Sequence, residues 1–146
     1  KNPIKENDLF VPPLDVNDSN IPNGNSIFLL NCKKLEAITG DSKWQHLVKE
    51  LTHSFHSYLN LQSTQMVSFI KNLDVCENFI TFTFFGDIKK NQQLQQYVKK
   101  YYLKSSTFIY KEDPKENYLI VCKNQTCSNK IKTIEELKSV EKNYVI

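Results

Sequence analysis

The sequence predicts an α+β protein, a helical hairpin segment followed by a small βαββα lobe, and three observations predict it. Up to about residue 75, apolar residues recur three and four apart, the period of a helix with one buried face. After Cys76 the period changes. Phe82 and Phe84 alternate within Phe79–Phe85 among β-branched neighbours, and the run ends at Gly86-Asp87 like a strand feeding a turn. The next strand follows only after an amphipathic stretch of helix length, so the first two strands are expected to be parallel, joined by a crossover helix. The expected division is an irregular lead-in over 1–24, the helical hairpin over 25–75 and the α/β lobe over 76–146.

The lead-in holds Pro3, Pro12 and Pro13 among scattered Asn and Asp, with Leu9-Phe10-Val11 as a short anchor. The chain does not begin with Met, and it reads as a fragment or a processed product. Pro22 and Gly24 then bend the backbone, and Asn25 is placed to cap a helix from about Asn25 to Thr39. That helix opens on Ile27-Phe28-Leu29-Leu30. Such a run has no polar face, so its first turn is expected to be covered from all sides. Ile27, Leu30, Leu35 and Ile38 form its expected stripe, and Gly40 stops it.

Asp41 or Ser42 opens the second helix, with Ser42 and Gln45 fitting a capping box. Trp44, Leu47, Val48, Leu51, Phe55, Tyr58 and Leu59 make its stripe. The tight connection at Gly40 makes these two helices an antiparallel hairpin. A third helix is expected from near Ser63, with Met66, Phe69, Ile70 and Leu73 on one face. In the lobe, residues 90–102 read as a helix burying Leu94, Tyr97, Val98 and Tyr101. Thr107–Tyr110 and Tyr118–Cys122 read as strands around a polar turn. Thr133 and Glu136 form a capping box that opens a last short helix.

Composition narrows the function classes. The chain has 146 residues, 40% of them hydrophobic, and a net charge of +3. That is enough for one ordinary domain or two small lobes, and it is globular rather than disordered. Arg is absent and Lys is spread thinly, which argues against a nucleic-acid partner. No apolar stretch is long enough to span a bilayer, so no membrane partner is expected. Three glycines exclude a phosphate-binding P-loop or Rossmann turn. Four cysteines are too few for a disulfide scaffold, so a reducing, cytoplasmic location is the default. Asn17 and Asn124 stand in glycosylation sequons, which carry little without a secretion signal.

Four segments in order resemble a known family. They are Asp18 with Ile21-Pro22-Asn23-Gly24-Asn25-Ser26, the run Leu30-Asn31 through Leu35 to Thr39-Gly40-Asp41, then Phe84-Phe85-Gly86-Asp87, and last Val121-Cys122 to Cys127 followed by Thr133-Ile134-Glu135-Glu136-Leu137. Over roughly residues 14–138 these are similar to the C-terminal part of YyaL-like thioredoxin-domain-containing proteins, relatives of the spermatogenesis-associated thioredoxin-like proteins. The resemblance implies a parent with a thioredoxin-like domain and an α/α toroid similar to N-acylglucosamine epimerases and six-hairpin glycosidases. This chain would then hold the last toroid helices and a terminal lobe. The full-length protein would be carbohydrate-processing or sugar-isomerising, with this chain not catalytic alone and requiring no cofactor. The toroid would bring Asp18, Asn25 and Ser26 to a cavity as the contacts of a sugar ligand. Against that stands a purely local role, Asn25 as cap and Asp18 as partner of the helix dipole.

Two further readings come from other classes. As an interaction module, the helices would bind the missing N-terminal part of the protein or self-associate through apolar surface. As a thiol-redox module, the chain would use Cys122 and Cys127. Their four-residue spacing suits reduced structural thiols, a local disulfide or redox pair, or half of a metal site. A tetrahedral metal needs two more ligands, and His46, His53 and His56 lie far away in sequence, beside the stripe of their helix, so no metal site is expected.

Overall fold

The computed structural model describes residues 17–102, 105–123 and 126–144, and these fall into two compact units that divide between Cys76 and Glu77. The expected anchor Leu9-Phe10-Val11 and the sequon residue Asn124 lie outside the described residues.

The N-terminal unit holds α1 (Gly24–Thr39), α2 (Ser42–Gln62), a 3-10 turn (Ser63–Gln65) and α3 (Val67–Glu77), whose last residue falls past the division. The cap of α1 is Asn23, not Asn25: the Asn23 side chain accepts the Asn25 N–H. Gly40 closes α1 in the left-handed region at φ 69°, as a C-terminal glycine should. The cap of α2 is Asp41, which accepts the Lys43 N–H, in place of the Ser42–Gln45 box. The third helix begins four residues later than its sequence suggests, because Ser63–Gln65 take a tighter 3-10 turn first. The core gathers Leu29, Phe55, Met66, Phe69 and Cys76, with Val48, Leu51, Leu59 and Leu73 packed against it. Phe55 and Phe69 are tilted ring on ring at 4.9 Å, a favourable aromatic geometry.

The stripe expected on α1 is corrected. Ser26, Leu29 and Cys32 face inward, while Ile27, Phe28, Leu35 and Ile38 stay exposed. The apolar run Ile27–Leu30 at the start of α1 offers two candidate inner faces, and the small Ser26 and Cys32 allow the closer approach on theirs.

The C-terminal unit runs β1 (Ile80–Phe85), α4 (Gln92–Tyr102), β2 (Ser106–Lys111), β3 (Tyr118–Lys123), β4 (Thr126–Cys127) and α5 (Ile134–Tyr144). Its open sheet has the order β2-β1-β3-β4, with β2 parallel to β1 and β3 antiparallel to it. Strand alternation sends Ile80, Phe82 and Phe84 to one face, where they meet Leu119 and Val121 of β3. Leu94 and Val98 of α4 and Leu137 of α5 cover that same face. Phe82 stacks on Phe108 at 5.8 Å and Phe84 on Tyr110 at 5.4 Å, both cross-strand pairs in register. Thr133 and Glu136 do make a reciprocal cap: Glu136 N–H donates to Thr133 Oγ1 at 3.2 Å, and Thr133 N–H donates to Glu136 Oε2 at 3.3 Å.

The toroid reading does not survive. In the N-terminal unit three helices close around their own cluster, and among the described residues no ring of hairpins is present. Nor is the second unit a βαββα lobe. The chain after Cys122 turns straight back to pair Thr126 with Lys123 and Cys127 with Cys122, adding a fourth strand. What stands among the described residues is an α+β fold of five α-helices and a small open four-stranded sheet.

Candidate functional site

Two of the three polar residues singled out in the sequence, Asp18 and Ser26, meet in one hydrogen-bonded knot, built from the loop before α1 and the N-termini of α1 and α3. Asp18 Oδ1 accepts the Asn23 N–H at 2.9 Å, and Oδ2 accepts the Ser68 N–H at 2.7 Å. The Ser68 hydroxyl donates to the same carboxylate. The Asp18 N–H in turn donates to the Gln65 carbonyl at 2.7 Å. One carboxylate thus receives free N–H groups from the starts of two helices, where the backbone has donors to spare and a partial positive charge.

Ser26 is fully buried. Its Oγ donates to the Asn23 carbonyl at 2.6 Å and lies 2.9 Å from Ser68 Oγ. Asn72 Nδ2 donates to the Ser26 carbonyl at 2.9 Å, which ties α3 to α1 a second time. Asn25 is half-buried and its N–H is held by Asn23 Oδ1 at 2.7 Å. Burial alone would raise the Asp18 carboxyl. The bonds from Ser68 Oγ, Ser68 N–H and Asn23 N–H outweigh it and hold the group below the ordinary aspartate value of 3.8. Both carboxylate oxygens and the Ser26 hydroxyl are engaged inside the protein, so the knot's chemistry is that of a clamp between α1 and α3.

Sequence reasoning missed Asn23, Ser68 and Asn72. Asn23 had a local signal, since Asn after Pro22 is a favoured helix start. Ser68 and Asn72 had none: they lie 50 residues from Asp18 and 46 from Ser26.

Cys122 and Cys127 are joined by a disulfide, with Cα atoms 4.1 Å apart and directly opposed on β3 and β4. Of the readings left open, the structure forms the local disulfide. Cys127 is exposed and Cys122 half-buried, whereas Cys32 and Cys76 are buried in the other unit and outside the disulfide. Burial pushes the Cys32 thiol above its usual value. The histidines are not brought together as a site. All three are exposed on α2. His46 Nε2 lies 3.2 Å from Glu50 Oε1, and His56 Nε2 lies 3.5 Å from Asn60 Nδ2. Among the described residues no group of three His, Cys, Asp or Glu is placed to hold a metal, and no helix is long and apolar enough to cross a membrane.

The other candidate is the outer flank of α1. At 100° per residue, Ile27, Phe28, Leu35 and Ile38 fall within about 100° of arc, opposite the buried Ser26 and Leu29. Ile27 is 44% exposed, Phe28 46% and Ile38 56%.

The fold and these two features define an α+β protein of two units, without a recognised catalytic constellation among the described residues. No protein-family model matches the chain, and neither a curated protein nor a solved structure does. The resemblance to YyaL-like proteins is therefore withdrawn, together with the thioredoxin-domain, glycosidase-like and toroid identity it implied. Its four segments are short and rich in turn and cap residues, which recur at helix and strand ends in unrelated folds.

Proposed function

We propose that this chain is a protein-interaction module and that the outer flank of α1 is its contact surface. The observation that carries the reading is the row of large apolar side chains, Ile27, Phe28, Leu35 and Ile38, left in water on a helix whose opposite face is already packed. A helix apolar on two sides is normally sandwiched, and a rimmed apolar patch on a soluble protein marks a partner site.

Magnitudes bound the contact. Fully burying a side chain of this kind contributes about 1.5–3 kcal/mol, and these are roughly half exposed, so the flank offers about 3–6 kcal/mol gross. Association costs about 4–15 kcal/mol in lost freedom. The flank alone therefore supports weak binding, and a stable complex needs further apolar positions.

The partner proposed is a second copy. Asn31 lies within the arc, and a single polar residue in an apolar helix seam fixes register between like helices. Light scattering during size exclusion, over a range of concentrations, tests this. A dimer that Phe28→Glu converts to a folded monomer supports it; a monomer at every concentration overturns it. The cytoplasm is the location proposed, on the cysteine count, and a surface disulfide there belongs to the transient or redox-sensing kind.

A further inference from the structure

The Cys122–Cys127 bond sits where it can open without unfolding its unit. It closes only the tip of the β3–β4 hairpin, because β4 is two residues long. The returning chain is held to β3 by other means. Ser128 N–H donates to the Val121 carbonyl at 2.8 Å, and Val121 N–H donates to Ser128 Oγ at 3.1 Å. Further along, Leu119 and Ile131 exchange two backbone bonds, of 2.8 and 2.9 Å, and Ile131 is buried in the core with Leu119 and Leu137. Beyond them the Thr133–Glu136 cap anchors α5 independently. Neither sulfur belongs to the core cluster, and Cys127 is exposed to solvent.

From this placement we infer that Cys122 and Cys127 form a reversible thiol–disulfide pair that exchanges with low-molecular-weight thiols of the glutathione class while the fold stays intact. The thiolate of one such molecule attacks the exposed Cys127 Sγ. The S–S bond breaks, and its electron pair leaves on Cys122 Sγ, which takes a proton from water. A second thiolate attacks the sulfur of the first molecule in the mixed disulfide. That step releases the oxidised small disulfide and the Cys127 thiolate, which is protonated in turn. Two thiols are oxidised and one protein disulfide is reduced. Reduction frees Thr126 and Cys127 from β3 and uncovers the outer edge of β3 at Cys122 and Lys123. Cys32 and Cys76, buried in the N-terminal unit, take no part.

The test equilibrates the folded protein in graded ratios of reduced to oxidised glutathione, traps thiols with N-ethylmaleimide and locates the labels by mass spectrometry. The expected result is two labels arriving together on Cys122 and Cys127, none on Cys32 or Cys76, and an unchanged far-UV circular dichroism spectrum. Labels on Cys122 and Cys127 that persist after equilibration with oxidised glutathione alone would overturn the inference, as would labels that appear only where the spectrum collapses. Hydrogen exchange on the Cys122→Ser/Cys127→Ser double variant is the second measurement. Fast exchange confined to the hairpin tip, with protection at Leu119 and Ile131 kept within about twofold, supports the pair as a switch. Loss of protection throughout the unit shows a structural bond and ends the proposal.

Discussion

The two units use similar side chains and bury them by different rules. In the C-terminal unit, alternate positions of β1 go to one face, and two helices cover that face with Leu94, Val98 and Leu137. In the N-terminal unit a smaller cluster is supplemented by a hydrogen-bonded clamp at Asp18, and large apolar side chains remain outside at Ile27, Phe28, Leu35 and Ile38. A period of two assigns each strand residue to one face or the other. A helix with an unbroken apolar run has no such rule there, so its partners choose the face. The difference teaches that surplus apolar surface accumulates where periodicity leaves the choice open, and that this is where a partner can be accommodated.

The strongest way to break the comparison is to empty each core. Phe82→Ala and Phe69→Ala should each cost about 3–5 kcal/mol, since both rings are fully buried. Chemical denaturation followed by hydrogen exchange should show lost protection concentrated in the mutated unit. Equal loss in both units would mean that they are not separately held. Gly86→Ala comes next, at about 1–3 kcal/mol from the strained backbone. Gly86 sits at φ 89°, and an added Cβ would run into the Glu116 backbone carbonyl. Protection at the end of β1 should fall, and a wild-type melting temperature would refute the role assigned to this glycine.

The clamp is tested by Asp18→Asn, which keeps one acceptor where two are needed. We expect a loss of about 1–3 kcal/mol, with faster exchange at the first turns of α1 and α3 and none in the sheet. The pH dependence has a definite sign. The folded Asp18 carboxyl lies below its ordinary value, so its contribution is complete above about 3.8 and is lost as pH falls through the lowered value. Acid titration of the wild type should loosen the N-terminal unit over that window, and Asp18→Asn should flatten this limb. Thr133→Ala, which removes one half of a cap, should cost about 1 kcal/mol in the C-terminal unit. The smallest effect on stability is expected at Phe28→Glu, within about 0.5 kcal/mol. A larger loss in the monomeric protein would show that the α1 flank is already packed and would remove the interaction surface.

Legibility followed the same divide. The strand at β1, its parallel partner across a helix and the Thr133–Glu136 cap all rest on patterns within a few residues, and they were readable. The stripe of α1 was not. Spacing selected Ile27, Leu30, Leu35 and Ile38; the structure half-buries Leu30, leaves the other three exposed and buries Ser26, Leu29 and Cys32 instead. The start of α3 was misplaced because Ser63–Gln65 form a 3-10 turn, which leaves no separate periodic trace. β4 was missed because two residues leave no periodic trace. Asp18 and Ser26 stand in the polar stretch before an apolar run, but their hydrogen bonds run to α3, and no local pattern points there.

By itself the sequence determined where the backbone changes period, where Gly40 and Gly86 turn it, and which strand positions point inward. These follow from short-range sterics and from the two-residue repeat of a strand. Only the tertiary structure decided which flank of α1 is covered, that one carboxylate joins the starts of two helices, and that Cys122 and Cys127 stand opposite each other. Each of these depends on which groups the fold brings together or which surface it leaves uncovered, and packing and hydrogen-bond satisfaction settle that between residues that may be neighbours in space alone.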